Sequence, residues 1–290
     1  MITNSVEIIR PFDGRNITTV LFDFDGTLSR ERDGWINLMV ATNAAAMAVA
    51  LPEAAISEIF HWTIDDIERT IGIPTYQQMK RLAETIRARG GKALSPRRYK
   101  DVYNAALTAM VQTAHQQVER GQRSMEELRV PGAIELLTML AEKLGRNSLF
   151  LASGTDIEPV KQSVQRLGYS IFFEDRIVAS GFHHNENECP KQQIIAQLVR
   201  DRLLGPGQLL TFGDGVPEIE HTVRVGGIAV GVVTPDLSYY EFQGHFTLEN
   251  KRQRLIQAGA QILVPDFREA QQLIKLLFSE QSSLGAQAND

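Results

Sequence analysis

From Asp33 to Gly121 the chain carries apolar residues at helical spacing and shows no strand pattern, yet the segments on both sides of this block read as strands. A side chain returns to the same face every second residue in a strand and about every 3.6 residues in a helix, so such a change of period marks a sheet interrupted by a helical block. Before the block, Thr18-Thr19-Val20-Leu21-Phe22 is β-branched and apolar and runs into Asp23-Phe24-Asp25-Gly26-Thr27. This is the pattern of a buried parallel strand entering a glycine turn. Inside the block, Trp35, Leu38, Met39 and Thr42 share one helix face, and Pro52 breaks the pattern. Glu53 to Ile67 resumes it, Pro74 opens a third helix through Arg87, and Ser95-Pro96 caps and opens a fourth that ends near Gly121.

Past Pro131-Gly132, helix and strand alternate. Ala133 to Leu144 reads as helix, Ser148 to Ala152 as strand and Ile157 to Leu167 as helix. Arg176 to Ala179 is a short strand and Pro190 to Leu203 a helix; Gln208 to Phe212 is a strand followed by a short helix from Pro217. Ile228 to Val233 and Gln261 to Val264 complete the strands, and Phe267 to Phe278 is the last helix. Alternation of this kind implies an α/β fold, a parallel sheet with helices on both faces. Val6 to Phe12 is available as an added edge strand, and the small polar tail is expected to be disordered.

Composition removes several classes of function. The 290 residues hold 30 Lys and Arg against 35 Asp and Glu, a net charge of −5, which argues against nucleic acid as the main partner. The apolar run Ala44 to Leu51 stops at Pro52, far short of the ~20 residues a membrane helix needs. No charged-then-apolar leader pattern opens the chain, and the lone Cys189 allows no intrachain disulfide, so a cytoplasmic protein is expected.

In open α/β sheets ligands bind outside the carboxyl ends of the strands. The residues expected there are Asp23-Phe24-Asp25-Gly26-Thr27, Ser153-Gly154-Thr155 and Gly213-Asp214-Gly215-Val216-Pro217-Glu218, with Lys191 near the start of a helix. Asp23 and Asp25 are two apart, so strand alternation points them the same way, while Gly26 lets the chain turn. Crowded carboxylates retain a proton unless a cation neutralises them. Hard Mg²⁺ takes oxygen ligands, which suits Asp23, a main-chain carbonyl near Asp25, and Asp214. Lys191 and Ser153 then offer a positive charge and a donor to an anion such as phosphate. With its charge offset in this way, a phosphate dianion can approach a carboxylate nucleophile and form an aspartyl-phosphate.

These motifs, in this order, resemble the haloacid dehalogenase superfamily, specifically the phosphatase branch with a helical cap inserted after the first strand. Val20-Leu21-Phe22-Asp23-Phe24-Asp25-Gly26-Thr27 resembles the first motif, Leu151-Ala152-Ser153-Gly154 the second, Lys191 the third, and Gly213 to Glu218 the fourth. Lys191 and Asp214 are 23 residues apart, room for a helix and a strand between them. Val130-Pro131-Gly132-Ala133-Ile134-Glu135-Leu136-Leu137 and Ala258-Gly259-Ala260-Gln261 resemble phosphoglycolate phosphatases and β-phosphoglucomutases. There are two departures: Glu218 stands where the family more often has Asp, and Lys191 follows a proline rather than preceding one.

The resemblance implies a Rossmann-like parallel-sheet core over residues 1–30 and 128–280, an inserted all-helical cap domain over 31–127, and a tail from 281 to 290. It implies a Mg²⁺-dependent phosphatase acting on a small phosphorylated metabolite such as a sugar phosphate, phosphoglycolate or a nucleotide. In that scheme Asp23 is the nucleophile and Asp25 the acid and then the base. Ser153 and Lys191 hold the phosphoryl oxygens, helped by Thr27 and Gly154. Asp214 binds the metal together with Asp23, Asp25 and Glu218. A dehalogenase needs neither the second aspartate nor the metal, so Asp25 favours phosphoryl transfer. A phosphomutase and a non-catalytic phosphate-binding protein are the alternatives, and a monomer or homodimer is expected.

Two further stretches invite a reading. The cap loop Thr70-Ile71-Gly72-Ile73-Pro74-Thr75 is placed to help choose the substrate, since a comparable loop reaches the active site in capped relatives; Arg69, Thr75 and Tyr76 are the candidate contacts, with structural helix-turn roles at least as well supported. His183-His184-Asn185-Glu186-Asn187-Glu188-Cys189 matches no closed zinc spacing and reads as a polar surface loop.

Overall fold

In the computed structural model, which describes residues 5–180, 190–236 and 246–278, seven strands are present: β1 (Glu7–Ile8), β2 (Thr19–Asp23), β3 (Leu149–Asp156), β4 (Ile177–Ser180), β5 (Leu209–Gly213), β6 (Ile228–Val232) and β7 (Ile262–Val264). They form one sheet in the order β1-β7-β6-β5-β2-β3-β4. All neighbours are parallel except β1, which pairs antiparallel with β7, Glu7 opposite Leu263 and Ile8 opposite Ile262. The N-terminal stretch thus supplies the edge strand that its sequence allowed. The chain builds outwards from β2 through β3 and β4, then returns to lay β5 on the other side of β2. The switch of direction falls between β2 and β5, where the carboxyl ends leave a crevice.

Four helices are inserted between β2 and the rest of the sheet: α1 (Trp35–Ala50), α2 (Ile56–Thr70), α3 (Thr75–Ala88) and α4 (Pro96–Glu119). Their boundaries follow local chemistry. Gly34 takes a left-handed conformation ahead of α1, Pro74 precedes α3, and the Ser95 hydroxyl accepts the Arg98 N–H at the start of α4. The four share an apolar core of their own, including Ile36, Met39, Met47, Ile67, Leu82 and Tyr103. Phe246, just before the helix that starts at Leu248, is buried in the same cluster and joins the two parts. The buried face of α1 is Ile36, Met39, Val40, Asn43 and Met47, offset from the expected Trp35, Leu38, Met39 and Thr42. Trp35 and Leu38 flank it half-buried, because α1 packs against both α2 and α4 and its apolar residues spread over a wide arc.

The remaining helices are α5 (Ala133–Leu144), α6 (Ile157–Arg166), α7 (Ser170–Phe173), α8 (Pro190–Asp201), α9 (Val216–Arg224), α10 (Leu248–Ala258) and α11 (Ala270–Phe278). Strand alternation sorts them into two layers. Val20 and Phe22 point into the cluster that holds Leu136, Leu140, Val160, Leu273 and Leu277, from α5, α6 and α11. Leu21, one residue out of step, meets Ile194, Ile195 and Leu198 of α8 on the opposite face. The Phe22 and Phe212 rings stack at 4.8 Å, locking the two central strands. The sequence reading missed α7 and α10, and β3 runs to Asp156, beyond the expected Ala152. The tail from residue 281 and the His183-to-Cys189 loop lie outside the described residues. No helix among the described residues is long and apolar enough to cross a membrane.

Candidate active site

β2 delivers Asp23 at its carboxyl end, where the residue is 4% exposed. Asp23 Oδ1 lies 2.7 Å from Lys191 Nζ, and Oδ2 accepts the Thr27 hydroxyl at 3.2 Å. Lys191 sits at the start of α8, and its Nζ also lies 3.0 Å from Glu218 Oε2. One ammonium therefore bridges the first and fourth motifs. Glu218 is the third residue of α9 and caps its start, Oε1 accepting the Gly215 N–H at 2.9 Å. The helix turn folds this glutamate, which stands where the family more often has Asp, back over the glycines. A Cβ on Gly213 would lie 2.3 Å from Glu218 Cγ, so the glycine makes that return possible.

Carboxylate oxygens of Asp23, Asp214 and Glu218 all lie within 4.8 Å of one another. Asp214 follows β5 and is met by Lys251 Nζ at 2.9 Å, from α10. Lys251 is itself buried and also donates to the Thr234 carbonyl at 3.2 Å. Asp25 takes its cation from the linker into the helical insert: Arg32 Nη1 lies 2.8 Å from Asp25 Oδ2. Thr155 donates to that same oxygen at 3.3 Å and accepts from Arg32. Ser153, buried, accepts the Thr155 N–H at 3.2 Å, and Gly154 beside it opens onto free space.

Four carboxylates thus face three cations, Lys191, Lys251 and Arg32. Burial pushes Asp23 well above the ordinary carboxylate range, with Lys191 opposing and Glu218 and Asp214 adding to the rise. Burial also raises Asp25, against the pull of Arg32. Burial works against the charge on Lys191, but Asp23 and Glu218 overcome it and hold its pKa above the ordinary lysine value. Glu218 Oε2 is buried and within ion-pair distance of Lys191, yet makes no acceptable hydrogen bond. A cluster of three carboxylates with an unused buried oxygen fits a hard divalent cation.

The structure brings together Asp23, Asp25, Thr27, Lys191, Asp214 and Glu218, with Ser153 and Gly154 in the second half of the neighbouring β3. Arg69 is not among them: it pairs with Asp65 at 2.9 Å and its side chain is 63% exposed. An exposed i,i+4 pair is the ordinary fate of an arginine late in an amphipathic helix. Thr75 and Tyr76 stand half-buried in the first turn of α3. The loop before them does reach the site's edge, since a Cβ on Gly72 would lie 3.6 Å from Pro217, the residue preceding Glu218. Sequence reasoning missed Arg32 and Lys251 as site residues, and placed Thr155 at the strand end without giving it a role. The helix that carries Lys251 had a readable signal, with Thr247 at its start and Gly259 at its end.

A family model described as a haloacid dehalogenase-like hydrolase matches residues 17–221. The chain belongs to this family. No curated protein matches it by sequence. Among solved structures it is similar to a conserved haloacid dehalogenase-like protein of unknown function from Agrobacterium tumefaciens, with 13% identity and a TM-score of 0.59 over 90% of this chain and 99% of that one. A family hydrolase from Deinococcus radiodurans, with bound phosphate and sodium, is 15% identical with a TM-score of 0.54 over 91% and 97%. A protein described as a predicted phosphoglycolate phosphatase from Haemophilus somnus is 17% identical with a TM-score of 0.54 over 89% and 98%. At these identities the likeness shows the fold, and this haloacid dehalogenase-like hydrolase must be read for its chemistry from its own site.

Proposed function

We propose that this chain is a Mg²⁺-dependent phosphatase that hydrolyses a small phosphomonoester through an aspartyl-phosphate on Asp23. The observation that carries the reading is the pairing of buried Asp23 with Lys191, which also faces Glu218, beside a second aspartate two residues on. The ammonium offsets the charge of a buried carboxylate, so an anionic phosphoryl group can come within bonding distance of it. Asp23 attacks phosphorus as the ester oxygen departs, and Asp25 gives that oxygen its proton. Water then attacks the aspartyl-phosphate, Asp25 takes the proton back, and the Asp23–phosphorus bond breaks to release phosphate. Lys191, the Ser153 hydroxyl and the amides around Gly154 hold the phosphoryl oxygens, while Thr27 orients Asp23 through their hydrogen bond.

Asp23, Asp214 and Glu218, with a main-chain carbonyl near Asp25, would hold Mg²⁺, which supplies positive charge to the phosphoryl oxygens when bound. Residues 31–127 form the cap domain. They exclude water and select the leaving group, with the loop through Gly72, Thr75 and Tyr76 as the contact surface. The approach of Gly72 to Pro217 supports this placement.

The test is phosphate release from sugar phosphates, phosphoglycolate and nucleotides, with Mg²⁺ or EDTA, by wild type and Asp23→Asn. Turnover that needs the metal and vanishes in the variant is expected. Equal turnover by Asp23→Asn removes the nucleophile assignment. Isomerised sugar phosphate without release points instead to a mutase.

A further inference from the structure

Asp25 is held by one oxygen only. Its Oδ2 receives Arg32 Nη1 at 2.8 Å and the Thr155 hydroxyl at 3.3 Å, and Arg32 in turn donates to Thr155. Its Oδ1 is buried and has no hydrogen-bond partner among the described residues. A carboxyl group that accepts two hydrogen bonds on one oxygen keeps its proton on the other, because the donors occupy the lone pairs of the first. The two oxygens of Asp25 are thereby made unequal.

Arg32 is also held in place. It belongs to the linker that leads from the turn after β2 into α1, and both sides of that linker are tied down. The Arg30 N–H donates to the Leu128 carbonyl at 2.9 Å. The Gly34 N–H donates to both carboxylate oxygens of Asp236 at 3.1 Å. Between these two anchors the Arg32 side chain, 18% exposed, has Asp25 and Thr155 as its partners. The terminal torsion of an aspartate is broad and roughly two-fold, so without such a hold the carboxyl group rotates freely.

We propose that Arg32 is a positioning residue that grips Asp25 by Oδ2 and so holds its carboxyl group in the one orientation from which it protonates the leaving group. The inference rests on the reading of Asp25 as the acid. In the first step the phosphorus–oxygen bond to the leaving group breaks while the Asp23–phosphorus bond forms. The proton of Asp25 passes to the departing oxygen, leaving Asp25 ionised and still gripped by Arg32. Guanidinium suits the task because it stays charged and presents a rigid planar fork, which lysine lacks.

The experiment compares kcat/KM for p-nitrophenyl phosphate and phenyl phosphate, two esters of similar shape. The first releases a stable phenolate that needs no proton, whereas the second depends on one. kcat/KM covers the steps through departure of the leaving group, so later hydrolysis of the aspartyl-phosphate does not enter. Arg32→Met is expected to lose at least about tenfold more with phenyl phosphate than with p-nitrophenyl phosphate, and Arg32→Lys to recover part of that difference. Equal loss on both esters, or no loss, overturns the inference.

Asp25→Asn is run beside them. If Asp25→Asn discriminates between the esters and Arg32→Met does not, the positioning role fails while the acid role stands. If Asp25→Asn does not discriminate, the acid role itself fails. Should Arg32→Met not fold, as judged by its circular dichroism melt, Thr155→Val removes the other donor to Oδ2. It is expected to discriminate in the same sense by severalfold, and absence of discrimination in both Thr155→Val and Arg32→Lys overturns the inference.

Discussion

Gly26 and Asp214 touch across the central crevice: a Cβ on Gly26 would lie 2.2 Å from Asp214 Oδ2. The Asp214 side chain, from the turn after β5, fills the space that a side chain on the turn after β2 would need. Gly26 also has φ +77°, a left-handed conformation that costs an L-residue roughly 1–2 kcal/mol. Gly26→Ala is therefore expected to lose about 2 kcal/mol or more in urea unfolding, and to displace Asp214 enough to remove most phosphate release. A variant with wild-type stability and turnover would show that the turn has room to spare.

Lys251 reaches Asp214 at 2.9 Å and competes with any cation for that carboxylate. Removing its charge leaves Asp214 more attractive to a divalent ion by about 1 kcal/mol after solvent screening. Titration calorimetry should find that Lys251→Met binds Mg²⁺ severalfold more tightly than wild type. Unchanged or weaker binding would mean that Lys251 serves to hold Asp214 in place.

Glu218 has two separable duties. Oε1 caps the Gly215 N–H and Oε2 faces Lys191, while the carboxylate belongs to the cluster with Asp23 and Asp214. Glutamine keeps an oxygen for the cap and loses the charge. Glu218→Gln should weaken Mg²⁺ affinity by about tenfold or more while shifting the melting temperature little. A large fall in melting temperature with affinity intact would reverse that division.

Asp33 lies in the same linker as Arg32, paired with Arg30 at 2.6 Å. Burial, with repulsion from Asp236, raises its pKa from the ordinary 3.8 to about 6 despite Arg30. Between those two values the folded chain keeps a proton that the unfolded chain has released, so stability falls as pH rises through the interval. Above it the ionised group carries a steady cost on the order of 3 kcal/mol. Asp33→Asn removes that cost. Its melting temperature should exceed the wild-type value at pH 7.5 and converge with it near pH 4. A variant less stable than wild type at pH 7.5 would mean the ionised pair with Arg30 is favourable.

Most of the residues that converge at the candidate site were legible because they lie in short local patterns. Asp23, Asp25 and Thr27 are placed by one strand and the turn that ends it, and Asp214 and Glu218 by a strand, a glycine turn and a helix start. The alternation of strand and helix after Pro131 likewise follows from periodicity, which is local. The face of α1 was misjudged by one position, since an alanine-rich helix with apolar residues on several sides has no sharply defined stripe. Arg69 was named for its place near a cap loop, yet its partner Asp65 lies one turn away on the same helix. No periodicity argument reports which way a long exposed side chain turns.

The sequence by itself determined the strand ends, the residue types that converge there and the helical interruption, because each depends on spacing along a few residues. Only the tertiary structure decided which cation meets which carboxylate. Lys251 comes to Asp214 from 37 residues along the chain. Thr155 and Arg32 meet across 123 residues. Such pairings depend on how β2, β3, β5, α10 and the linker into α1 pack around one crevice, and side-chain reach across a sheet leaves no period in the sequence.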